Sequence, residues 1–205
     1  MRKPIIFTGV PNSGKSVLGM ELKSHEWEVV TLDDDNSQSH FVQDMLHFNA
    51  YTKIGFYTQL KYHFDRYKLA FDCALPNGST NLLFVEGGYP DYVAMLGFKG
   101  YEVPDYLSNA VEWLNDELLV TRVVFLKMPD EEYQERVREV ERIRIFGEPN
   151  VKEAVRTAVR TAVRFEHVLR DTYKSLGFSL VEIEPGTPEE RVRIIRESIS
   201  DQFAL

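Results

Sequence analysis

The chain has 205 residues, of which 43% are hydrophobic, and its formal net charge at pH 7 is −8. This length matches one ordinary domain with a substantial core, so two independent domains are disfavoured and we expect residues 1–205 to form one domain. The acidic balance disfavours a large nucleic-acid footprint, although it leaves room for a local basic groove.

The cellular compartment is indicated by two further features of the composition. The single cysteine, Cys73, excludes an internal disulfide and a multi-cysteine zinc cluster, and it favours a reducing compartment. No stretch approaches the roughly 20 apolar residues of a membrane span. We therefore expect a cytoplasmic protein without a membrane partner.

The first predicted elements are a strand, a loop and a helix. The apolar run Pro4–Thr8 predicts a buried strand, and Val17–Leu22 predicts a helix. Between them, the segment Gly9–Ser16 (GVPNSGKS) fits the P-loop pattern G-x-x-x-x-G-K-[ST], in the strand-loop-helix context that this pattern requires. The expected nucleotide contacts from this region are Gly9, Pro11, Asn12, Ser13, Gly14, Lys15, Ser16 and Val17.

The residue types of this loop suit a triphosphate. Gly9 and Gly14 supply the backbone conformations that allow N–H groups to surround phosphates. A helix that begins near Gly14 directs its N–H groups and positive dipole end at the same place. Lys15 then reaches the β- and γ-phosphates, and the Ser16 hydroxyl holds Mg²⁺. An incidental glycine turn explains this spacing poorly.

Carboxylates follow the second predicted strand, Trp27–Leu32. Asp33, Asp34 and Asp35 come directly after it, at the sheet edge where ligands of α/β proteins collect. One of them is a candidate to accept a proton from an attacking hydroxyl, and Asp33 is also a candidate metal ligand. The alternative is that Asp35 or Asn36 caps the next helix.

Residues 37–75 are predicted to form a helical, aromatic-rich insert on the substrate side, with Gly55 as its candidate break. Aromatic side chains at helical spacing usually pack in a core, which we expect for most of these, while one or two rings could stack on a substrate. The histidines His40, His47 and His63 do not have the spacing of a known metal-ligand set.

The third predicted strand, Asn81–Val85, is followed by Glu86 and two glycines. An acid at this place after a P-loop is the expected second metal-organising residue, so Glu86 is a candidate metal ligand. Residues 90–119 are predicted to contain loop-like pieces around Gly97, Gly100 and Pro104, and then a helix.

Arginines follow the fourth predicted strand, Thr121–Met128. They lie on a helix that runs towards a break near Gly147, so residues 136–150 are predicted to be a lid that closes over the phosphates. The alternative is a solvated face balanced by neighbouring glutamates. The candidate phosphate-gripping residues are Arg138, Arg142 and Arg144.

The C-terminal part is predicted to contain a long helix, a last strand and a final helix. In the long helix Arg156, Arg160 and Arg164 share one stripe, which either tracks a polyanion or forms a solvated face. The last strand is Phe178–Ile183. After it, Thr187 as N-cap, with a glutamate three residues on, predicts a helix start.

These features together resemble the P-loop kinases of the nucleotide and polynucleotide kinase type. The resemblance rests on the loop Gly9–Ser16, the aspartates after strand two, Glu86-Gly87, the strand-then-arginine segment at 125–144, and the closing segment 184–190. It implies an α/β, three-layer P-loop NTPase fold, with a mostly parallel five-stranded sheet, helices on both faces and a helical insert.

The resemblance also implies roles for particular residues. An aspartate among 33–35 activates the acceptor hydroxyl, the lid arginines grip the phosphates, and Gly186 and Thr187 lie beside adenine. The Asp-Asp-Asp-Asn string is similar to the Asp-Gly-Asp-Asn of adenylylsulfate kinases. Two positions depart from the family pattern, since Val17 replaces the second hydroxyl residue after Lys15 and the third-strand acid is a glutamate.

The leading hypothesis is an enzyme that transfers the γ-phosphoryl group of ATP, with Mg²⁺, to a hydroxyl of a nucleoside, nucleotide or nucleic-acid base. One alternative, by resemblance, is a phage-encoded kinase that acts on 5-hydroxymethyluracil in DNA. Another is a nucleotide-dependent switch or binding protein, against which the sequence lacks the Asn-Lys-x-Asp and Asp-x-x-Gly motifs of GTPases. The oligomeric state is left open.

Overall fold

The computed structural model describes residues 3–11, 13–25, 27–30, 52–74, 82–116, 122–129, 131 and 151–199. Five strands form one sheet in the order β2-β3-β1-β4-β5, and every neighbouring pair is parallel. The predicted parallel sheet is therefore confirmed. The strands are β1 Lys3–Gly9, β2 Glu28–Val30, β3 Leu82–Glu86, β4 Arg122–Leu126 and β5 Ser179–Ile183.

The register brings the ends of the central strands to one edge of the sheet. Phe7 of β1 lies opposite Glu86 of β3, and Gly9 lies opposite Leu126 of β4. Because parallel strands end at the same edge, the segments that follow β1, β3 and β4 emerge close together there. This carboxyl edge holds the candidate site.

Helices cover both faces of the sheet. Their bounds are α1 Lys15–Ser24, α2 Lys53–Ala74, α3 Tyr89–Lys99, α4 Asp105–Asp116, α5 Val151–Ser175 and α6 Pro188–Ile199. Connections that pass from one parallel strand to the next require such crossover helices. None of the helices within the described ranges combines the length and the hydropathy needed to cross a bilayer.

Each face of the sheet has its own hydrophobic core. Ile6 packs in the core beneath α2 to α5, whereas its neighbours Ile5 and Phe7 pack in the core beneath α1 and α6. All three side chains are buried, because a central parallel strand is covered on both faces. This double burial is why Pro4–Phe7, the middle of β1, is apolar without a break.

The insert contributes α2, whose aromatic residues are mainly core residues. Phe56, Phe64, Tyr67 and Phe71 are buried, whereas Tyr62 is 52% exposed. The prediction that most of these rings pack is confirmed for the described residues, and positions 37–51 and 75 of the insert lie outside them.

Gly55 was predicted as a candidate helix break and Gly97 as part of a loop-like piece, but both lie within helices. Gly55 lies in the first turn of α2, where its N–H donates to the Thr52 hydroxyl over 3.1 Å. Gly97 lies inside α3, which ends at Lys99 and is capped by Gly100, a residue with φ of +69°. The buried residues of α3 offset the modest helix penalty of a single glycine.

Candidate functional site

The loop Gly9–Ser16 joins β1 to α1 at the carboxyl edge of the sheet. Gly14 takes a left-handed conformation with φ of +90° immediately before α1, and the Leu18 N–H donates to its carbonyl over 2.9 Å. Gly9 has no room for a side chain, because a Cβ atom there would lie 2.7 Å from the Leu126 carbonyl oxygen. Both glycines therefore serve the curvature that the P-loop pattern predicts.

Lys15 is the first residue of α1, and its side chain folds back over the loop. Its Nζ atom donates to the carbonyl oxygens of Gly9, over 2.9 Å, and Val10, over 3.0 Å. The cation is thus held above the start of the loop and beside the positive end of α1. This arrangement concentrates positive charge where a helix N-terminus favours phosphate.

Ser16 and Glu86 meet across the gap between α1 and β3. The Ser16 Oγ atom donates to the Glu86 Oε1 atom over 3.5 Å, although the two residues are 70 positions apart in the chain. Glu86 is only 8% exposed. A hydroxyl and a carboxylate are hard oxygen donors of the kind that Mg²⁺ prefers, so this pair fits the metal-holding role predicted for it.

A buried arginine supports the loop from behind, and the sequence reasoning missed it. Arg191 of α6 is 4% exposed, and its Nη1 atom donates to the Ser13 carbonyl oxygen over 2.9 Å. Ser13 is itself fully buried. The signal was present in the sequence, because Arg191 stands four residues before Ile195 on the apolar face of α6.

Asp91 is a second residue of the site that the sequence reasoning missed. Its Oδ1 atom accepts a hydrogen bond from the Thr8 hydroxyl over 2.7 Å, and its Oδ2 atom accepts one from the Gly88 N–H over 3.0 Å. Burial raises the pKa of the Asp91 carboxyl, and the Thr8 hydrogen bond and the nearby charge of Lys15 oppose that rise. A carboxylate therefore lies directly beside the strand that leads into the P-loop.

Gly186 and Thr187 lie after β5 at the same edge of the sheet. Thr187 is the N-cap of α6, because its hydroxyl accepts from the Glu190 N–H over 3.2 Å. The Thr187 N–H donates in return to the Glu190 carboxylate over 2.9 Å. The predicted capping box is confirmed. In the sheet, one strand, β4, lies between β5 and the P-loop strand β1.

Several predicted site residues lie outside the described residues. These are Asn12, Asp33, Asp34, Asp35, Arg138, Arg142 and Arg144, together with the predicted lid at 136–150. The strand that precedes the aspartates is described, and its last residue, Val30, pairs with Val85 of β3. Val85 directly precedes Glu86, so β2 ends next to the strand that carries the candidate metal ligand.

The arginine stripe of α5 lies on an exposed face. Arg156 and Arg160 are more than half exposed, and both pair with Glu153 of the same helix. The Arg164 guanidinium lies 5.6 Å from the centre of the Phe98 ring. Within the described part of the chain, no three histidine, cysteine, aspartate or glutamate side chains come together as a metal-binding group.

The structure resembles solved kinases over nearly the whole chain. A deoxyadenosine kinase from M. mycoides with bound dATP matches with a TM-score of 0.53 and 14% identity, covering 97% of this chain and 99% of the other. A shikimate kinase from Acinetobacter baumannii in complex with shikimate matches with a TM-score of 0.55 and 15% identity, covering 98% and 95%. No protein-family model and no curated protein sequence matches this chain. At this level of identity the likeness concerns architecture, and the chain therefore has the α/β fold of the P-loop kinases.

Proposed function

We propose that this protein is a kinase that transfers the γ-phosphoryl group of ATP to a hydroxyl of a nucleoside, a nucleotide or a nucleic-acid base, with Mg²⁺ as cofactor. The observation that carries the proposal is the contact of Ser16 with Glu86, 3.5 Å apart, beside Lys15 at the start of α1. A phosphate-binding loop, the Lys15 ammonium and a pair of hard oxygen donors converge there, as phosphoryl transfer requires.

Each described residue has a distinct part in this proposal. The loop amides and Lys15 bind the β- and γ-phosphates, and Lys15 stabilises the charge that develops during transfer. Ser16 and Glu86 would hold Mg²⁺, which neutralises phosphate charge when bound. Catalysis then depends mainly on holding the acceptor hydroxyl in line with the γ-phosphate.

The acceptor side of the proposal rests on the sequence. Asp33, Asp34 and Asp35 are the candidates to position the acceptor hydroxyl, and Arg138, Arg142 and Arg144 are the candidates to grip the phosphates. Gly186 and Thr187 are proposed to lie beside adenine. The Thr187 hydroxyl is already engaged in capping α6, so we expect the backbone of this loop to make the contact.

The fold supports a small hydroxyl-bearing acceptor. One similar structure is a deoxyadenosine kinase, and the other is a kinase in complex with shikimate. Among these two acceptor types we favour the nucleoside side, because the sequence features after the second and third strands resemble nucleotide and polynucleotide kinases. A hydroxymethylated base in DNA belongs to the same chemical class, since it also offers a primary hydroxyl.

The test is transfer of label from γ-labelled ATP with Mg²⁺ to a panel of acceptors. The panel contains nucleosides, nucleotides, plain oligonucleotides, oligonucleotides that carry 5-hydroxymethyluracil, and shikimate. We expect label on one acceptor class, and a loss of about 100-fold or more in Lys15→Ala, because Lys15 stabilises transition-state charge. Lys23→Ala, which removes an exposed cation from the other end of α1, is the matched control and should retain activity.

Three results would contradict the proposal. Binding of ATP without labelling of any acceptor would favour a nucleotide-dependent switch. Absence of ATP binding in the folded wild-type protein would remove the assigned role of the loop. Labelling of an acceptor that persists in Lys15→Ala would place the chemistry elsewhere in the molecule.

A further inference from the structure

The backbone that follows Glu86 is held by three hydrogen bonds from different elements. The Gly87 N–H donates to the Phe7 carbonyl oxygen of β1 over 2.8 Å. The Tyr67 hydroxyl of α2 donates to the Gly87 carbonyl oxygen over 3.1 Å. These contacts continue the parallel ladder by one residue beyond β3, and they attach the insert helix to the candidate site.

Asp91 provides the third hydrogen bond and links this backbone to the P-loop strand. One carboxylate oxygen accepts from the Gly88 N–H over 3.0 Å, while the other accepts from the Thr8 hydroxyl over 2.7 Å. Thr8 directly precedes Gly9, the first residue of the P-loop. A single carboxylate thus bridges the two segments that carry Glu86 and Lys15.

The conformation of this backbone admits only glycine at one position. Gly87 has φ of +68°, and a Cβ atom there would lie 2.6 Å from the Asp91 Oδ2 atom. The close approach of the carboxylate therefore depends on Gly87. The side chain that approaches the two glycines after Glu86 is that of Asp91.

Packing alone does not require the Tyr67 hydroxyl or the Asp91 carboxylate. Tyr67 is fully buried and its ring stacks on Phe71, so a phenylalanine would fill the same space. Taking a hydroxyl or a carboxylate out of water costs free energy unless each finds partners. Hydrogen bonds to the backbone after Glu86 offset that cost for both groups. The surrounding apolar residues cannot make such bonds.

We propose that Tyr67 and Asp91 are positioning residues that hold the Glu86–Gly88 backbone so that the Glu86 carboxylate faces Ser16. The inference rests on the proposed function, since it assigns Ser16 and Glu86 to Mg²⁺. The affinity for Mg²⁺ would then depend on two residues that are not themselves proposed as metal ligands. Supporting residues of this kind commonly change metal affinity by about 10- to 100-fold when they are replaced.

The test compares Tyr67→Phe and Asp91→Asn with the wild-type protein in direct binding of ATP. Dissociation constants are measured by calorimetry with Mg²⁺ present and with Mg²⁺ removed by a chelator. We expect each variant to weaken binding of Mg²⁺-ATP by about tenfold, while binding of Mg²⁺-free ATP changes by less than about twofold. The Mg²⁺ concentration for half-maximal activity should rise in parallel.

Matched controls separate positioning from a general loss of structure. Tyr62→Phe removes a hydroxyl from an exposed tyrosine of the same helix, and Asp105→Asn removes an exposed carboxylate from the first turn of α4. Both should bind Mg²⁺-ATP as the wild type does. Thermal denaturation establishes whether each variant is folded. If Asp91→Asn does not fold, Tyr67→Phe, which keeps the buried ring, is sufficient for the test.

The outcomes distinguish this inference from the proposed function. Folded variants with an unchanged response to Mg²⁺, on a wild type whose binding does respond, would overturn the inference alone. A purely structural role would lower the melting temperature and leave the response to Mg²⁺ intact, which also overturns it. A wild-type protein that binds no ATP, or binds it without regard to Mg²⁺, would overturn the proposed function and the inference together.

Discussion

Gly9 is the residue of the P-loop whose replacement the structure restricts most directly. A Cβ atom at this position would meet a backbone carbonyl, that of Leu126, at 2.7 Å and the Ser13 Oγ atom at 2.6 Å. A backbone atom of a central strand cannot move as the end of a side chain can. The loop must therefore shift if any side chain is added.

We predict that Gly9→Ala lowers the free energy of unfolding by about 1–3 kcal/mol, the usual cost of overpacking. Urea denaturation measures this change. The matched control is Gly97→Ala, since nothing lies within 4 Å of a Cβ atom at that exposed position of α3. The control should raise stability by about 0.5–1 kcal/mol through helix propensity. Equal stability of the two variants would show that the contact at Gly9 is not restrictive.

The buried carboxyl of Asp91 should make the free energy of unfolding depend on pH. Burial raises the pKa of its carboxyl in the folded chain, so the folded state keeps a proton at pH values where the unfolded chain has lost it. The contribution of this group to the free energy of unfolding is thus present at low pH. It is lost as the pH rises through the raised pKa of the folded state.

Urea denaturation of the wild type and of Asp91→Asn at several pH values checks this sign. Asparagine does not titrate, so the stability of the variant relative to the wild type should increase as the pH rises from about 4 towards 7. A wild type that gains stability over Asp91→Asn with rising pH would contradict the prediction.

At the scale of elements, α6 is tied to the P-loop by one side chain. Arg191 donates to the Ser13 carbonyl oxygen from a position 178 residues later in the chain, and the α6 helix packs in the core beneath α1. The same helix begins at the capping box of Thr187. The loop before α6 and the Ser13 carbonyl of the P-loop are therefore both bonded to the first turn of the same helix.

We predict that Arg191→Met lowers the free energy of unfolding by about 1–3 kcal/mol, because a buried carbonyl oxygen loses its donor. It should also weaken ATP binding, since the Ser13 peptide is no longer held in place. Arg193→Met, which removes a 65% exposed arginine from the same helix, is the control and should change neither quantity appreciably. Chemical denaturation and calorimetric titration with ATP measure the two effects. Unchanged ATP affinity in a destabilised Arg191→Met protein would limit the residue to a role in folding.

At the scale of the whole molecule, the elements were predictable wherever a local pattern determines them. The P-loop has a fixed spacing, Pro4–Phe7 of β1 and Val123–Leu126 of β4 are unbroken apolar runs, and the capping box of α6 is a four-residue signal. Each pattern reflects local backbone geometry or burial on both faces of the sheet. This is why the fold, and the place of the loop Gly9–Ser16 between β1 and α1, could be predicted.

The supporting contacts of the site could not be predicted in this way. Asp91 is 83 residues from Thr8, Tyr67 is 20 residues from Gly87, and Arg191 is 178 residues from Ser13. No periodicity joins such pairs, because the register of the sheet and the packing of helices bring them together. Glu86 combines a predictable and an unpredictable feature. Its place at the end of β3 follows from a local pattern, whereas its contact with Ser16 depends on the strand order.

We propose that Gly9–Ser16 and Glu86 together form a site for ATP and Mg²⁺. A crystal structure with Mg²⁺ and a non-hydrolysable ATP analogue tests it most directly. We predict that the β-phosphate lies within the loop, that Lys15 contacts the β- and γ-phosphates, and that the metal ion lies between the phosphates, Ser16 and Glu86. Nucleotide bound away from this loop, or a metal ion bound without either of those two residues, would contradict the account.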